Sequence, residues 1–179
     1  MTRKLRTAAD RVNDKHEWFL RIAEVVATRS SCARRAVGAV IVDEVGYILS
    51  TGYNGPARGQ PNCTETPCAG AHAAPGTELD ACIAIHAEVN AIAQARSIKE
   101  ARALYCSVSP CVACAKILSN LPNLKRVFFR ELYATPQAIQ HLQAVGIRSF
   151  LVKGQRQYAE VKVVEGEIRQ VAVAPDDVD

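Results

Sequence analysis

Apolar residues recur at helical spacing from Asp14 onward, and this pattern predicts the first helix of the chain. Trp18, Ile22 and Val25 fall on one face of that helix, with Arg29 one turn further along. We expect this face to pack in the core, because a tryptophan on an apolar stripe is more often a core residue than a stacking platform.

The apolar runs that follow predict five strands and further helices. After the first helix we expect a buried strand with its hairpin partner, a long loop, and then helices that alternate with strands. The predicted elements cover residues 36–43, 47–53, 82–96, 104–108, 110–120, 125–129, 135–145 and 147–152. Alternation of this kind favours parallel pairing with right-handed crossovers, and the hairpin makes the sheet mixed.

The same pattern divides the chain into three regions. Residues 1–14 are basic and polar and are expected to form a mobile arm, and residues 15–153 form a single α/β domain. Residues 154–179 are an extension. Within it, residues 158–173 predict one or two edge strands, whereas the acidic residues 175–179 are expected to be disordered.

The composition is typical of a globular protein and narrows the classes of function. No apolar run approaches the ~20 residues of a membrane span. The N-terminus lacks the apolar region of a secretory signal, so a cytoplasmic location without a membrane partner is expected. Seven cysteines in that compartment favour metal binding over disulfides. The net charge of +4 fits a small anionic substrate, and without a basic stripe interleaved with aromatic residues no nucleic-acid partner is expected.

Two short stretches carry the residues of a metal site. His86 lies in the first, and Cys111 and Cys114 form a Cys-x-x-Cys pair in the second. A catalytic zinc ion requires three protein ligands and one open position for water. Cysteines three residues apart share one face of a helix, and Ser109-Pro110 predicts a helix start with Ser109 as the N-cap. A thiol in the first turn, as Cys111 then is, favours the thiolate form that binds metal.

Glu88 follows His86 by two residues, so it lies near the metal but its side chain leaves the helix in a different direction. We therefore predict that it shuttles protons and does not bind the ion. A Cys-x-x-Cys pair alone is as often a structural zinc site or a redox pair, and a lone His-x-Glu on a helix is usually an ordinary exposed pair. Both stretches together, in this order and spacing, favour a catalytic zinc site.

Residues 54–81 form a long segment rich in glycine and proline, with no hydrophobic period that could order it. Metal-binding side chains are concentrated in and around this loop, which predicts a second zinc ion with a structural role. The expected ligands, with His72 as the substitute for one of them, are Cys32, Cys63, Cys68 and Cys82. The alternative is that some of these are free buried thiols, which are common.

These motifs resemble the deoxycytidylate (dCMP) deaminase family within the zinc-dependent cytidine deaminase superfamily. The resemblance covers roughly residues 16–152. It rests on VGAVIV (37–42), TGYNGP (51–56), HAEVNAI (86–92), SPCVACAK (109–116) and the segment 127–133. His-x-Glu followed by Pro-Cys-x-x-Cys is the signature of zinc nucleobase deaminases in general. The G-Y-N-G stretch joined to H-A-E-x-N-A is narrower and points to dCMP.

The resemblance implies a three-layer α/β/α fold with a mixed five-stranded sheet, and a homo-hexamer. It assigns the zinc ligands and the proton shuttle to the residues proposed above. Asn54 resembles a residue that meets the sugar hydroxyl, and Tyr133 an aromatic beside the base and phosphate. Members of the microbial branch carry a second zinc ion near the positions of Cys32 and Cys63. Control by dCTP and dTTP at the G-Y-N-G-P loop is implied as well, with Mg²⁺ accompanying dCTP.

The predicted reaction is the hydrolysis of dCMP to dUMP and ammonia. Glu88 would take a proton from the attacking water and deliver protons to N3 of the cytosine and then to the leaving amine. The 5′-phosphate needs cationic donors, and Arg34, Arg35 and Arg58 are candidates by their position near the loop. Arg130 departs from the family pattern and is a further candidate. Each arginine taken alone is more often solvated or ion-paired than a ligand.

Three other functions share parts of this pattern: a deaminase of 5-substituted dCMP, a tRNA adenosine deaminase, and a non-catalytic zinc module such as a DNA-uptake or scaffold protein. A tRNA deaminase shares the two zinc stretches but lacks the G-Y-N-G stretch and the cysteine-rich loop. A purely structural zinc site needs no carboxylate beside the metal, so Glu88 argues against the non-catalytic module.

Overall fold

A computed structural model gives the fold and describes residues 11–74, 77–78, 81–133 and 135–178. The helices are α1 (Lys15–Ala27), α2 (Ala87–Gln94), α3 (Val112–Leu118) and α4 (Pro136–Ala144). The strands are β1 (Gly38–Val42), β2 (Ile48–Tyr53), β3 (Ala103–Val108), β4 (Arg126–Glu131), β5 (Arg148–Gly154), β6 (Gln157–Val164) and β7 (Glu167–Val173). None of the helices in these ranges is long and apolar enough to cross a membrane.

These strands form one mixed sheet in the order β2-β1-β3-β4-β5-β6-β7. β3, β4 and β5 run parallel, and each other neighbouring pair is antiparallel. The opening hairpin and the parallel centre are therefore as predicted. The sheet has seven strands and not five, because the hairpin of β6 and β7 pairs onto the edge of β5 and continues it.

Helices cover both faces of the sheet, which confirms the predicted three-layer α/β/α fold. α1 covers one face, where Phe19 packs with a row of aromatic rings from neighbouring strands, Tyr105, Phe128 and Phe150. α2, α3 and α4 cover the other face, whose core is mostly aliphatic, as with Leu104. The two faces thus enclose separate cores, and the chemistry described below lies at one end of the aliphatic side.

The face of α1 that meets the sheet is not the one predicted. Trp18 is 45% exposed and Val25 67% exposed, whereas Phe19 and the two small residues Ala23 and Ala27 are buried. The reason lies at Gly38, where a Cβ atom would stand 2.0 Å from the carbonyl oxygen of Ala23. The helix backbone contacts the strand backbone there, so the small alanines fit against the sheet and a tryptophan would not.

α2 and α3 both begin later than predicted, which changes the setting of two metal-binding residues. Ile85 pairs with Gly55 in an isolated antiparallel bridge, and this keeps the chain before α2 extended. His86 is consequently the N-cap of α2. Cys111 is the N-cap of α3, so the predicted capping role of Ser109 is wrong.

The acidic C-terminal segment also differs from the prediction of disorder. Residues Pro175–Asp177 form a 3-10 turn, and the side chain of Val178 is fully buried in the core beneath α1. Arg126 donates to the carbonyl of Val178 at 3.1 Å, and Arg148 donates to that of Asp177 at 2.9 Å. One apolar side chain and two arginines thus hold this end against the sheet. Residues 1–10, most of the predicted arm, lie outside the described residues, as does residue 179.

Candidate active site

The two predicted zinc stretches meet at the carboxyl ends of β3 and β4, where α2 and α3 begin. Ligands of open α/β sheets bind in such a crevice, beyond the carboxyl ends of the parallel strands. A cavity of about 240 Å³ opens at this point, and His86, Glu88 and Cys111 are among the residues that line it. The cavity, the helix N-termini and the predicted chemistry therefore coincide.

His86, Cys111 and Cys114, called the triad below, place their ligand atoms within 4.8 Å of one another. Nδ1 of His86 lies 3.2 Å from Sγ of Cys114 and 3.4 Å from Sγ of Cys111. Ligands around a tetrahedral zinc ion stand roughly 3.6 Å apart, given metal–ligand bonds of about 2.0–2.3 Å. The donor atoms, one nitrogen and two sulfurs, and their spacing therefore fit zinc. Across the part of the chain that the structure describes, no second set of three such atoms is this compact.

Hydrogen bonds within the triad separate the pKa values of its two thiols. The pKa of Cys111 is lowered to about 4, first because the Cys114 thiol donates to its sulfur, and further because His86 and the backbone N–H of Cys114 do so. The pKa of Cys114 is raised, first by the same hydrogen bond and then by burial. The hydrogen bond with Cys111 raises the pKa of His86 in turn. Cys111 is thus a thiolate at neutral pH, which is the form that binds metal.

Glu88 stands in the first turn of α2 and is only 4% exposed. Burial raises the pKa of its carboxyl above the ordinary 4.5, partly opposed by its own backbone N–H and by the charge of His86. Gly52 of β2 makes this position possible, because a Cβ atom there would lie 2.3 Å from the carbonyl oxygen of Ala87. A buried carboxyl in a cavity wall with a raised pKa is suited both to accept and to return a proton.

Asn54 also lines the cavity, and its side chain holds the chain segment that follows α1. Its Oδ1 accepts hydrogen bonds from the hydroxyl of Ser30 at 2.7 Å and from the backbone N–H of Val37 at 2.8 Å. Its Nδ2 donates to the carbonyl of Arg35 at 2.7 Å. The predicted sugar-binding residue is therefore placed in the cavity wall and rigidly fixed.

The three arginines proposed for the phosphate are not equivalent. Arg34 and Arg35 line the cavity, whereas Arg58 is exposed and is not among the lining residues. Arg34 donates to the carbonyls of Ala74 at 2.8 Å and Thr77 at 3.2 Å, which ties the long loop to the cavity. Arg35 forms an ion pair with the carboxylate that ends β4. That carboxylate belongs to Glu131, which the sequence did not indicate as part of the site.

Arg130 lies on the side of the sheet that α1 covers. It donates to the carboxylates of Glu17 and Glu24 at 2.9 and 3.0 Å, and to the carbonyl of Val152 at 2.9 Å. The guanidinium is occupied by these partners, and Arg130 is not among the residues that line the cavity. The interpretation that it reaches the phosphate is therefore wrong.

Tyr133 lines the cavity, and Ser109 is another of the lining residues. The backbone N–H of Tyr133 donates to Oγ of Ser109 at 2.7 Å. Sequence reasoning missed this contact, because the two residues lie 24 positions apart. The available signal was the position of Ser109 directly after a buried strand, where a polar residue has a neighbouring strand to bond.

Three of the four cysteines proposed for the second zinc ion lie together. The side chains of Cys63 and Cys82 both interact with that of Cys68. The pKa of Cys68 is lowered, first because the backbone N–H of Ile83 donates to it, and further by these two thiols. Burial raises the pKa of Cys63.

The other two candidate ligands are Cys32 and His72. Cys32 interacts electrostatically with Cys63 and, like Cys82, lines the cavity. His72 is exposed on the loop. The second group therefore borders the cavity, but its atoms are less tightly gathered than those of the triad.

Comparison with known proteins adds an independent line of evidence. Residues 13–131 match the family described as cytidine and deoxycytidylate deaminase zinc-binding region. A deoxycytidylate deaminase of Schizosaccharomyces pombe is 35% identical over 136 residues, which are 73% of this chain and 42% of that protein. One from Mycobacterium phage D29 is 37% identical over 122 residues, 65% of this chain and 94% of that protein. The chain thus spans less than half of the yeast relative and nearly all of the phage one.

A solved structure is similar in fold as well as in sequence. It is the dCMP deaminase from the cyanophage S-TIM5 in complex with dCMP and dUMP. The superposition has a TM-score of 0.61 at 29% identity and covers 76% of this chain and 95% of that one. The stretch of this chain that lies beyond the family match, after residue 131, includes the hairpin of β6 and β7.

Proposed function

The chain belongs to the family of zinc-binding cytidine and deoxycytidylate deaminases, and we propose that it hydrolyses dCMP to dUMP and ammonia. One observation carries the proposal: a buried carboxyl, Glu88, shares a cavity with the compact triad. A zinc site that only held the fold together would have no use for that carboxyl. The cavity of about 240 Å³ has room for one base beside these residues.

His86, Cys111 and Cys114 would hold the zinc ion. Bound there, zinc supplies Lewis-acid chemistry and lowers the pKa of a water molecule in its open position towards ~7, from about 15.7 in bulk. One neutral imidazole and two thiolates leave the site close to neutral overall. Burial is the main cause of the raised pKa of the nearby carboxyl, Glu88.

Glu88 performs the proton transfers of the proposed reaction. Its carboxylate accepts a proton from the attacking water and delivers a proton to N3 of the cytosine, which makes C4 more electrophilic. The water oxygen adds to C4 as a hydroxyl, and the carboxylate then takes the remaining proton from that hydroxyl and delivers it to the amine. The C4–N bond breaks, ammonia leaves, and C4 becomes the carbonyl of dUMP. One buried side chain suffices for these steps because burial raises its pKa, which makes the protonated carboxyl easier to form between the two transfers.

Recognition of the nucleotide is assigned to the cavity wall. Asn54 carries a second amide hydrogen on Nδ2, which can donate to the sugar hydroxyl. Tyr133 offers an aromatic ring to the base. Arg34 and Arg35 supply positive charge for the 5′-phosphate, and Arg35 is the better candidate because its present partner, Glu131, is an exposed carboxylate that a phosphate can replace. Nothing in the cavity lining supports Arg58.

A second, structural zinc ion remains part of the proposal. Cys63, Cys68 and Cys82 interact with one another, and Cys32, which interacts with Cys63, is the fourth candidate. Four thiolates form a closed tetrahedral set of the kind that structural sites use. Such an ion would fix the loop, and with it the cavity wall that Cys32 and Cys82 contribute. The exposed position of His72 makes it the weaker ligand.

Assembly, regulation and location follow the family resemblance and are proposed with it. We expect a homo-hexamer, control by dCTP and dTTP at the loop after β2, and Mg²⁺ accompanying dCTP. None of the seven cysteines is paired in a disulfide, which fits a reducing compartment such as the cytoplasm. Light scattering of the purified chain and rate measurements with added dCTP or dTTP test these points.

The proposed activity is tested by ammonia release from the zinc-loaded protein. We expect turnover of dCMP above that of deoxycytidine and dCTP. Including 5-methyl-dCMP and an anticodon stem-loop in the panel separates the two alternative deaminases. Absence of ammonia release from every substrate, with the zinc ion in place, would favour the non-catalytic zinc module.

A further inference from the structure

The segment that carries Tyr133 leaves the sheet just before it reaches the cavity. The parallel ladder between β3 and β4 ends with the pair Val108 and Glu131. Tyr133 therefore has no ladder partner, although it forms part of the cavity wall. A ring used to recognise a nucleotide needs a fixed backbone, so the contacts that replace the ladder determine where it stands.

Ser109 supplies those contacts. Its side chain is buried, with only 5% of the residue exposed. Its Oγ accepts the backbone N–H of Tyr133 at 2.7 Å and donates to the carbonyl of the same residue at 3.3 Å. Its own N–H donates to the carbonyl of Glu131 at 2.8 Å. The hydroxyl is free to do this because α3 begins only at Val112 and does not use it as a cap.

We propose that Ser109 is a positioning residue whose hydroxyl fixes the backbone of Tyr133 and thereby orients its ring in the cavity. This inference rests on the proposed function. Cys111 lies two residues after Ser109. The segment that follows β3 therefore positions both the metal-binding thiol of Cys111 and, through Ser109, the ring of Tyr133. The backbone then fixes the distance between C4 of a bound cytosine and the face of the Tyr133 ring.

The direct test is Ser109→Ala, with Ser107→Ala as the matched control. Ser107 lies on the same strand, and its Oγ likewise accepts a backbone N–H, that of Gly38 at 3.1 Å. For Ser109→Ala we expect the KM for dCMP to rise about 3- to 10-fold, the scale of one lost hydrogen bond, with kcat within about twofold. For Ser107→Ala we expect a comparable loss of thermal stability with the KM unchanged. A KM that is unchanged in Ser109→Ala, or raised equally in both variants, would overturn the proposal.

A double-mutant cycle asks whether the serine acts through the tyrosine. In a Tyr133→Ala background the ring is already missing, so Ser109→Ala should raise the KM no further. Additive effects of the two substitutions would contradict the mechanism, because Ser109 would then act by another route.

Hydrogen exchange provides a readout that does not depend on catalysis. The amide of Tyr133 should exchange slowly in the wild-type protein and at least about tenfold faster in Ser109→Ala, with β3 still protected in both. Equal exchange rates of the Tyr133 amide in the two proteins would contradict the proposal. If the wild-type protein deaminated no nucleotide, the proposed function would fail, and the exchange result would still decide whether Ser109 holds this segment.

Discussion

The two groups of cysteines in this chain are built in opposite ways. The triad stands on the N-termini of two helices that pack against the sheet, and its three ligand atoms lie within 4.8 Å of one another. The loop thiols, Cys32, Cys63, Cys68 and Cys82, lie on irregular chain that is held by a few backbone hydrogen bonds, such as that from Gly70 to Ala81 at 3.1 Å.

This difference separates a site whose ligand atoms the fold already brings together from a group of thiols that is less tightly gathered. Helix termini fix the triad before any ligand arrives, and Glu88 enters the same cavity from the first turn of α2. The loop thiols gather around Cys68 without such support. We therefore expect the triad to control the chemistry and the loop thiols to control stability.

The largest effect is expected for Cys111→Ser. It removes one ligand of the triad, so deamination should fall by more than ~10³-fold while the far-UV circular dichroism stays as in the wild type. Zinc analysis should show one ion fewer per chain. Cys106→Ala serves as the control, because it removes a fully buried core thiol and should leave the zinc content unchanged. Substantial activity in Cys111→Ser would remove the triad from the chemistry.

The next largest effect is expected for the ion pair of Arg35 and Glu131. Arg35 and Glu131 form an exposed ion pair, and exposed pairs are worth only ~0–1 kcal/mol, so a phosphate can displace the carboxylate. Arg35→Gln should raise the KM for dCMP by about tenfold and leave that for deoxycytidine nearly unchanged. Glu131→Gln should lower the KM for dCMP by about two- to threefold, because Arg35 is then unpaired. Equal changes for nucleotide and nucleoside would show that Arg35 does not read the phosphate.

Cys68→Ser tests the loop thiols. Loss of the central thiol should remove one zinc ion per chain and lower the melting temperature by about 5 °C or more. The kcat should stay within a few-fold of the wild type, since the triad is untouched. A loss of activity as large as that of Cys111→Ser, with no change in melting temperature, would erase the division between the two groups.

The smallest expected effect is on the pH profile. Burial raises the pKa of Glu88 above 4.5. As the pH is lowered, its carboxylate therefore becomes protonated, and can no longer accept a proton, before the pH reaches 4.5. On the acid side of the pH profile, kcat/KM should therefore decrease as the pH drops through the raised pKa of Glu88, and recover as the pH increases. The acid side of the profile should keep its position in Cys68→Ser. If the acid side of the profile shifted in Cys68→Ser, the pH dependence would have to be assigned to the loop thiols.

Much of the site could be predicted because its chemistry is local in the sequence. His86, Glu88, Cys111 and Cys114 occupy two short stretches, and the residue types and spacing within these stretches identify them. The geometry that joins distant segments could not be predicted in this way. The bond between Ser109 and Tyr133 depends on the parallel register of β3 and β4, which no local pattern specifies.

The misplaced face of α1 has a similar cause. Its sequence carries a bulky apolar stripe with Trp18 and a smaller one with Ala23, and periodicity alone favours the bulky one. The structure buries the smaller stripe, because Gly38 brings the strand backbone too close for a large side chain. The long loop was unpredictable for another reason, since its order depends on thiols and scattered backbone bonds and not on a period.

The most direct test of the proposed chemistry is to measure zinc content and ammonia release from dCMP for Glu88→Gln beside the wild type. The amide keeps the shape of the side chain but cannot accept the proton. We expect the variant to bind zinc as the wild type does and to lose at least ~10³-fold in kcat. Ammonia release at a near-normal rate, with zinc bound, would contradict the role of Glu88 and with it the proposed deaminase.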